Sequence, residues 1–289
     1  MSAAFLGPTS SLPIVEPSCS TGNCTWPNYE SLGICIELQN VTDPLNKLQL
    51  ASYTQDLLRQ YYGIYPVGLP VYPAVMIPGT SPSNLFNQSV TQAAILELWI
   101  SFSSSMVTLS ANTTDFSTFE FYAVAFFLCT KIYSTNVTSG QAYVAEISST
   151  LDLISSPAHV LNFWWNESLL YFNDTCIPEL SGDSLVLGGL AGPTSIRYPV
   201  DVCTAILFSD FLGLTLSSGI FLTSDLLTVF EYGQMASALG VTLFGNYLST
   251  STYDSAVQFE NAQRLLGNIA GSLTNLYVGA DSIPARRFL

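Results

Sequence analysis

Aromatic and β-branched residues dominate the middle of the chain, from Ala94 to about Ser217, in short segments separated by Gly, Asn, Asp and Pro. Such segments are typical of β-strands. The predicted strands are 94–110, 116–134, 141–150, 163–172, 184–189, 195–200 and 202–216. In 119–129 both alternating faces are apolar apart from Glu120, which predicts a central strand that is covered on both sides.

Helical signals occur on either side of this region. Thr42-Asp43-Pro44 predicts the start of a helix over about 44–62, and Ser224-Asp225 predicts one over about 224–239. A third is predicted over about 254–277, after a Tyr253-Asp254-Ser255 cap signal, where apolar residues recur at three-four spacing. Its stripe consists of Phe259, Ala262, Leu266, Ile269, Leu273 and Leu276. We expect the stripe to pack on the sheet rather than to form a coiled coil, because it is short and contains two glycines.

These elements predict an α+β fold with a dominant, sandwich-like antiparallel sheet, an N-terminal disulfide knot and C-terminal helices packed on one face. Residues 1–18 are interpreted as a lead-in and 19–43 as a disulfide-rich motif. Residues 44–289 are interpreted as the main part of a single domain that includes this motif. Residues 63–83 contain five prolines and are predicted to be an extended connector rather than a packed element.

One apolar run, 202–222, is long enough to span a bilayer, and its only charged residue is Asp210. Buried strands joined by a turn explain the same run, and the Ser217-Ser218-Gly219 break favours them. The first residues lack the pattern of a signal peptide. We therefore expect the chain to be a piece of a longer, membrane-anchored protein.

Seven N-x-[ST] triplets in the first 175 residues predict a glycosylated protein of the secretory pathway. The acceptors are Asn23, Asn40, Asn87, Asn112, Asn136, Asn166 and Asn173. Only 10% of the residues are charged, so we expect Ser, Thr, Asn and N-linked glycans to supply the polar surface. The net charge of -14 argues against nucleic acid or anionic lipid as a partner.

Six cysteines form an even set that favours disulfides in an oxidising compartment. They are Cys19, Cys24, Cys35, Cys129, Cys176 and Cys203. A zinc site is not predicted, because the first three cysteines have four and ten intervening residues and the chain has a single histidine.

No motif in the chain specifies a reaction or a cofactor. His159 is the single histidine and no G-x-S-x-G elbow is present, so His159 is interpreted as a loop residue. Paired carboxylates for glycoside hydrolysis stay an alternative, with Glu97, Glu120, Glu146 and Asp152 on or beside predicted strands. Aromatic clusters are the other candidates for binding, namely Trp164, Trp165, Tyr61 and Tyr62. In a chain this apolar, burial in the core is their commoner use.

The block from Cys19 to Cys35, continuing to Asn40-Val41-Thr42, resembles the start of the ectodomain in a fungal membrane-protein family of unknown function, the one numbered 3176. Phe126 to Tyr133 resembles that family's second signature, and 268–275 is similar to its last ectodomain helix. The resemblance implies a domain flanked by transmembrane helices outside these 289 residues. It implies no catalytic residues, because none are established for the family.

Two cysteines usual in that family are replaced here by Leu38 and Val124. If those cysteines are disulfide partners in the family, Leu38 and Val124 should lie in contact, within the roughly 7 Å Cα separation of a disulfide. For the cysteines present, we expect Cys176 to pair with Cys203, and Cys129 to pair with one of the first three.

The sequence therefore predicts the glycosylated, disulfide-braced ectodomain of a fungal surface protein. Its expected role is non-catalytic recognition, adhesion or assembly, with a carbohydrate, a protein or a second copy of the chain as partner. A secreted carbohydrate-active hydrolase and a structural filament subunit are the alternatives.

Overall fold

The computed structural model describes residues 19–41, 47, 51–52, 70–78, 85–103, 105–108, 117–155, 184–189, 197–201, 205, 209, 212–213, 215–223, 229–232, 240, 242 and 254–280. The strands are β1 (Cys24–Thr25), β2 (Tyr29–Asn40), β3 (Pro70–Pro78), β4 (Ala94–Ser103), β5 (Val107–Thr108), β6 (Phe119–Thr138), β7 (Gln141–Thr150), β8 (Leu153–Ser155), β9 (Ser184–Gly188), β10 (Arg197–Asp201), β11 (Ser218–Thr223) and β12 (Val229–Tyr232). Two helices have described bounds, α1 (Gln88–Ala93) and α2 (Ser255–Ala280).

The larger sheet is built around β6, which is 20 residues long. Along one edge β6 pairs first with β4 and then with β7, and along the other edge it pairs with β2 and then with β1. From β4 the sheet continues through β3 and β11 to β12, and β5 pairs with the start of β3. These nine strands of the described part of the chain are all antiparallel to their neighbours.

The first half of β6 and the whole of β4 are buried on both faces. All ten residues of β4 are buried, as is β6 from Phe121 to Lys131. On one face Tyr122 stacks on Phe259 of α2, with ring centroids 4.4 Å apart. On the other face the Lys47 ammonium lies 6.0 Å from the Phe121 ring. This confirms the predicted central strand with both sides covered.

Disulfides fix the N-terminal segment to this centre. Cys35 of β2 is bonded to Cys129 of β6, and Cys19 is bonded to Cys24. The expected pairing of Cys129 with one of the first three cysteines is therefore confirmed, while Cys176 and Cys203 lie outside the described residues. Disulfides of this kind indicate an extracellular or secreted protein.

Leu38 and Val124 lie directly opposite each other in the β2–β6 register. Directly opposite residues of an antiparallel pair have Cα atoms about 4.5–5.5 Å apart. The expected contact between these two positions is therefore confirmed.

Helix α2 closes the outer edge of β2 through Thr274. The Thr274 hydroxyl accepts a hydrogen bond from the Ile34 main-chain N–H at 2.9 Å and lies 2.9 Å from the carbonyl oxygen of Ala270, to which it donates. Thr274 is only 2% exposed, so water cannot take its place. The Thr274 side chain thus supplies to β2 a hydrogen bond that a further strand would otherwise supply.

A smaller sheet, β10-β9-β8, joins the larger one at Thr130. The buried Thr130 hydroxyl donates to the Gly188 carbonyl at 3.0 Å, and the Gly188 N–H donates to the Asp152 carbonyl at 2.7 Å. A Cβ at position 188 would collide with the Asp152 carboxylate. A larger residue at position 188 would therefore require the Asp152 side chain to move.

The predicted fold class is confirmed: the chain is mostly antiparallel sheet with a C-terminal helix packed on it. The helix predicted at 254–277 is α2, and Asp254 caps it by accepting from the Ala256 N–H at 2.9 Å. Its apolar stripe is buried at Ala262, Leu266, Ile269 and Leu273 and half-buried at Phe259. The described positions 47 and 51–52 are helical, as predicted for 44–62. The strand predicted at 163–172 lies outside the described residues.

The prediction of a strand over 202–216 is wrong. Its described residues are helical, and Ala205, Ser209, Leu212 and Leu216 are buried at helical spacing. The run is so uniformly apolar that no polar face reveals its period. Within the described part of the chain, no helix has the length and hydropathy needed to cross a membrane.

The helix predicted over 224–239 is wrong at 229–232, which form β12 and pair with β11. The sequence Val-Phe-Glu-Tyr favours a strand through its β-branched and aromatic residues. The Ser224-Asp225 signal that predicted the helix lies outside the described residues.

The predicted connector over 63–83 contains β3, an inner strand of the sheet. Two of its prolines, Pro70 and Pro78, are the ends of the strand, where proline is tolerated. Pro73 lies opposite Phe221 of β11 on one side and at the gap between β4 and β5 on the other, because β4 pairs with 74–78 and β5 with 70–71. Counting prolines could not distinguish these positions from a loop.

We expect Thr274→Val to lower the free energy of unfolding by about 1–3 kcal/mol, because the buried Ile34 N–H loses its acceptor. Thr274→Ser, which keeps the hydroxyl, is the matched control and should lose less. Urea unfolding measures both, and equal stability of the two variants would contradict the edge-closing role.

The two disulfides should differ in their contribution to stability. Cys35–Cys129 spans 94 residues of chain and Cys19–Cys24 spans five. Loop entropy predicts a loss of about 4–5 kcal/mol when the first pair is replaced by alanines and about 2 kcal/mol for the second. Urea unfolding of the two double variants tests this, and the reverse order would contradict it.

Candidate interaction surface

The second half of β6 and all of β7 form a hairpin that is much more exposed than the rest of the sheet. Its turn is Ser139-Gly140, with φ of 53° and 79°, and Thr138 pairs with Gln141. Two consecutive positive φ values define the type I′ turn, whose twist suits antiparallel strands. Eight of the ten residues of β7 are exposed.

The N-terminal segment holds the tip of this hairpin. The Gly140 N–H donates to the Gly22 carbonyl at 2.9 Å, and the Ser139 N–H donates to the Asn23 side-chain oxygen Oδ1 at 2.9 Å. Both donors of the turn are therefore satisfied by the loop that the Cys19–Cys24 disulfide closes. The hairpin is held in place at its tip as well as at its base.

The hairpin has two chemically different faces. Directly opposite residues share a face, and alternate residues of a strand occupy opposite faces. One face, named the sequon face after the N-x-[ST] triplets of Asn23 and Asn136, carries Asn23, Thr25, Asn136, Thr138, Gln141 and Tyr143. The tyrosine face carries Trp26, Tyr29, Lys131, Tyr133, Val144 and Glu146.

On the tyrosine face two aromatic rings stack beside an ion pair. Tyr29 and Tyr133 lie directly opposite each other with ring centroids 5.5 Å apart. Lys131 Nζ lies 3.0 Å from a carboxylate oxygen of Glu146. The stem of Lys131 crosses Gly33, where a Cβ would lie 2.7 Å from Lys131 Cδ. Burial, and after it the Glu146 charge and then Tyr29, raises the pKa of Tyr133 above its ordinary value.

Four of the seven predicted acceptor asparagines are described, and all four are exposed: Asn23, Asn40, Asn87 and Asn136. The Asn87 side-chain oxygen caps α1 by accepting from the Val90 N–H at 2.9 Å. In Asn23 and Asn87 the bonded atom is Oδ1, which leaves the amide nitrogen, the atom that carries an N-linked sugar, outside these contacts. Asn112, Asn166 and Asn173 lie outside the described residues.

The carboxylates considered for hydrolysis do not converge. Glu97 accepts from the Trp99 indole N–H at 2.8 Å, and Glu120 accepts from the Tyr122 hydroxyl at 2.7 Å. The register places Glu97 and Glu120 on opposite faces of the sheet. Glu146 lies opposite Tyr133, about 26 Å along β6 from the partner of Glu97 at 3.3 Å per residue. Asp152 is exposed and flanks Gly188.

The aromatic residues proposed for binding, Trp164, Trp165, Tyr61 and Tyr62, lie outside the described residues, as does His159. The described part of the chain holds no group of three or more His, Cys, Asp or Glu side chains arranged to bind a metal. The described surface aromatics lie instead at and beside the hairpin, where Tyr143 of β7 is 53% exposed and Tyr29 of the neighbouring β2 is 37% exposed.

Sequence reasoning ended the central strand at residue 134 and so did not place Asn136 within it. The signal was present, because Ser134, Asn136 and Thr138 alternate with Thr135 and Val137, and the last two are buried. An acceptor triplet is usually taken as a loop, and here it lies on the exposed face of a strand.

Comparison of the chain with protein-family models, with curated proteins and with solved structures finds no match. The interpretation of the hairpin rests on its own geometry.

The raised pKa of Tyr133 predicts a loss of stability in alkali. An unfolded tyrosine ionises near pH 10, so the contribution of Tyr133 is fully present below about pH 10 and is lost as the pH rises above it. Tyr133→Phe should therefore reduce the fall in unfolding free energy above that pH. Urea unfolding across the alkaline range measures the slope, and the same variant at pH 7 controls for the loss of the hydroxyl itself. An unchanged alkaline slope would contradict the assignment.

Proposed function

We propose that this chain is the non-catalytic, glycosylated ectodomain portion of a fungal surface protein, anchored by segments outside these 289 residues, and that it works in recognition, adhesion or assembly. The disulfides and the exposure of the four described acceptor asparagines support an extracellular location. One observation carries the functional part, namely the exposed hairpin strand β7.

Strand β7 offers its outer edge for strand addition. In the described part of the chain it pairs with β6 alone. An exposed strand edge presents unpaired N–H and C=O groups that favour pairing with another chain.

The hydrogen-bond alternation identifies the groups at that edge. The Trp26 N–H donates to the Thr135 carbonyl, so the main chain of Thr135 points away from β7 and that of Asn136 points towards it. Asn136 pairs with Tyr143, so the N–H and C=O of Tyr143 point towards β6. Those of Val144 point away from β6. Val144 therefore marks the centre of the accessible edge.

The accessible edge is short. A register shift leaves Ile147 unpaired between Glu146 and Ser148, and such a bulge interrupts a regular edge. An added strand would accordingly pair with 141–145, where Val144 on the tyrosine face supplies a side chain for lateral contact. A bulge that limits pairing to a few residues suits reversible association rather than unlimited aggregation.

The simplest added strand is β7 of a second copy, because two identical edges pair antiparallel about a two-fold axis. A filament subunit is the second candidate, favoured by a second edge of the sheet, which lies on the same side of β6 as β7. There β12 pairs, within the described residues, with β11 alone. Pairing of β7 with β12 of the next copy would leave an open end at each step.

We expect the secreted protein to associate reversibly, and Val144→Pro to abolish the association, because proline removes the outward N–H without touching the bonds to β6. Val144→Thr, which keeps both the N–H and the β-branch, is the matched control and should still associate. Sedimentation velocity over a range of concentrations measures the effect, and circular dichroism and thermal unfolding confirm that both variants fold. Dimers would favour the two-fold pairing, and open-ended growth would favour a filament.

A wild-type protein that stays monomeric at high concentration would contradict assembly through β7. Association that survives Val144→Pro in a folded protein would place the contact elsewhere.

A further inference from the structure

The two acceptor triplets at the hairpin face each other across the strand ladder. Thr25 of the first triplet lies opposite Asn136 of the second, and the register continues to place Asn23 beside Thr138. Across β6 the same two rows end on β7, with Asn136 opposite Tyr143 and Thr138 opposite Gln141. Each row therefore contains one acceptor asparagine, and the two rows differ in what stands next to it.

We propose that the first sugar of a glycan on Asn136 packs on the ring of Tyr143. This rests on the proposed passage through the secretory pathway, where the sugar is attached. The C–H groups on one face of a pyranose ring are apolar, and an aromatic ring covers them while the hydroxyl groups stay in water.

The geometry of Tyr143 suits this contact. Directly opposite residues have Cβ atoms about 4.5–5.5 Å apart, so a sugar on the Asn136 amide nitrogen lies beside the ring. The Tyr143 hydroxyl donates to the side-chain oxygen of Gln141 at 2.9 Å, which restrains the ring on the sequon face. The neighbour on the same face, Ala145, is small and leaves one side of the ring open.

The exposure of the Tyr143 ring has no other explanation among the described residues. Tyr143 is 53% exposed, whereas the tyrosine beside the hairpin on the opposite face, Tyr29, is stacked on Tyr133. A sugar would cover apolar surface that the described residues leave in water.

Asn23 provides an internal comparison. Its Oδ1 accepts from the Ser139 N–H, and its neighbours in the row are Thr138 and Gln141, neither of which is aromatic. Within the described residues, a sugar on Asn23 would therefore gain no ring contact from its row.

The contact would also divide the surface of the hairpin into a part covered by sugar and a part open to a partner. Sugar held over the sequon face closes that face to a protein partner. The edge of β7 stays accessible, and this is the part assigned to strand addition.

The test is a double-mutant cycle on the full chain secreted by a eukaryotic host and trimmed enzymatically to a single N-acetylglucosamine at each site. The four proteins are wild type, Tyr143→Ala, Asn136→Gln and the double variant. We expect Tyr143→Ala to raise the unfolding equilibrium constant by about threefold to tenfold more when Asn136 carries its sugar than in the Asn136→Gln background. Tyr143→Phe should keep the coupling. Tyr29→Ala, on the other face, and Asn23→Gln in place of Asn136→Gln should show none.

A second readout does not depend on stability. The N-acetyl methyl protons of the Asn136 sugar should be shifted upfield by the ring and should return to their ordinary position in Tyr143→Ala. Equal effects of Tyr143→Ala with and without the sugar, together with an unshifted methyl signal, would overturn the contact.

The failure of this inference differs from failure of the proposed function. Mass spectrometry that finds Asn136 bare while Asn40 or Asn87 carries sugar would overturn the contact and leave the extracellular assignment standing. Bare asparagines throughout, with reduced cysteines, would overturn both.

Discussion

The central constraint on this fold is that a single 20-residue strand must find hydrogen-bond partners along both edges. In the first half of β6, partners come from β2 and β4, and apolar side chains fill both faces. In the second half they come from β1 and β7, and the face that carries Asn136 and Thr138 becomes exposed, whereas Thr135 and Val137 on the other face stay buried. The change occurs at Thr130 and Lys131, two buried polar residues whose groups are satisfied by Gly188 and Glu146. The ladder thus connects the hydrophobic core rigidly to the surface proposed for binding.

The first and last described segments of the chain both stabilise β6. The N-terminal segment pairs along it for twelve residues as β2, is bonded to it through Cys35–Cys129, and holds its turn through Gly22 and Asn23. The C-terminal helix then closes the outer edge of β2 through Thr274. One edge of β6 is therefore covered by β2 and the edge of β2 by α2, whereas β7 at the hairpin is left exposed. This contrast is why exposure of β7 favours an interaction rather than an incomplete core.

Sequence reasoning succeeded where composition and period agreed. The stripe of α2, the strand at 141–150 and the buried strand around Phe126 each combine the expected residue types with the expected spacing. Sequence-based prediction failed where the spacing of apolar and polar residues did not reveal the type of element. The run around Leu212 is too uniformly apolar to show a helical face, and Pro73 lies within β3 beside a gap between β4 and β5 that local sequence does not reveal. The facing of Asn136 and Tyr143 depends on the register set by a two-residue turn, which no local pattern in either strand specifies.

Asn23 shows how the fold and the glycosylation chemistry can share one side chain. Its carboxamide has an oxygen that accepts from the hairpin turn and a nitrogen that stands free for a sugar, so the two uses do not compete. Its triplet includes Cys24, whose disulfide closes the loop that positions this oxygen.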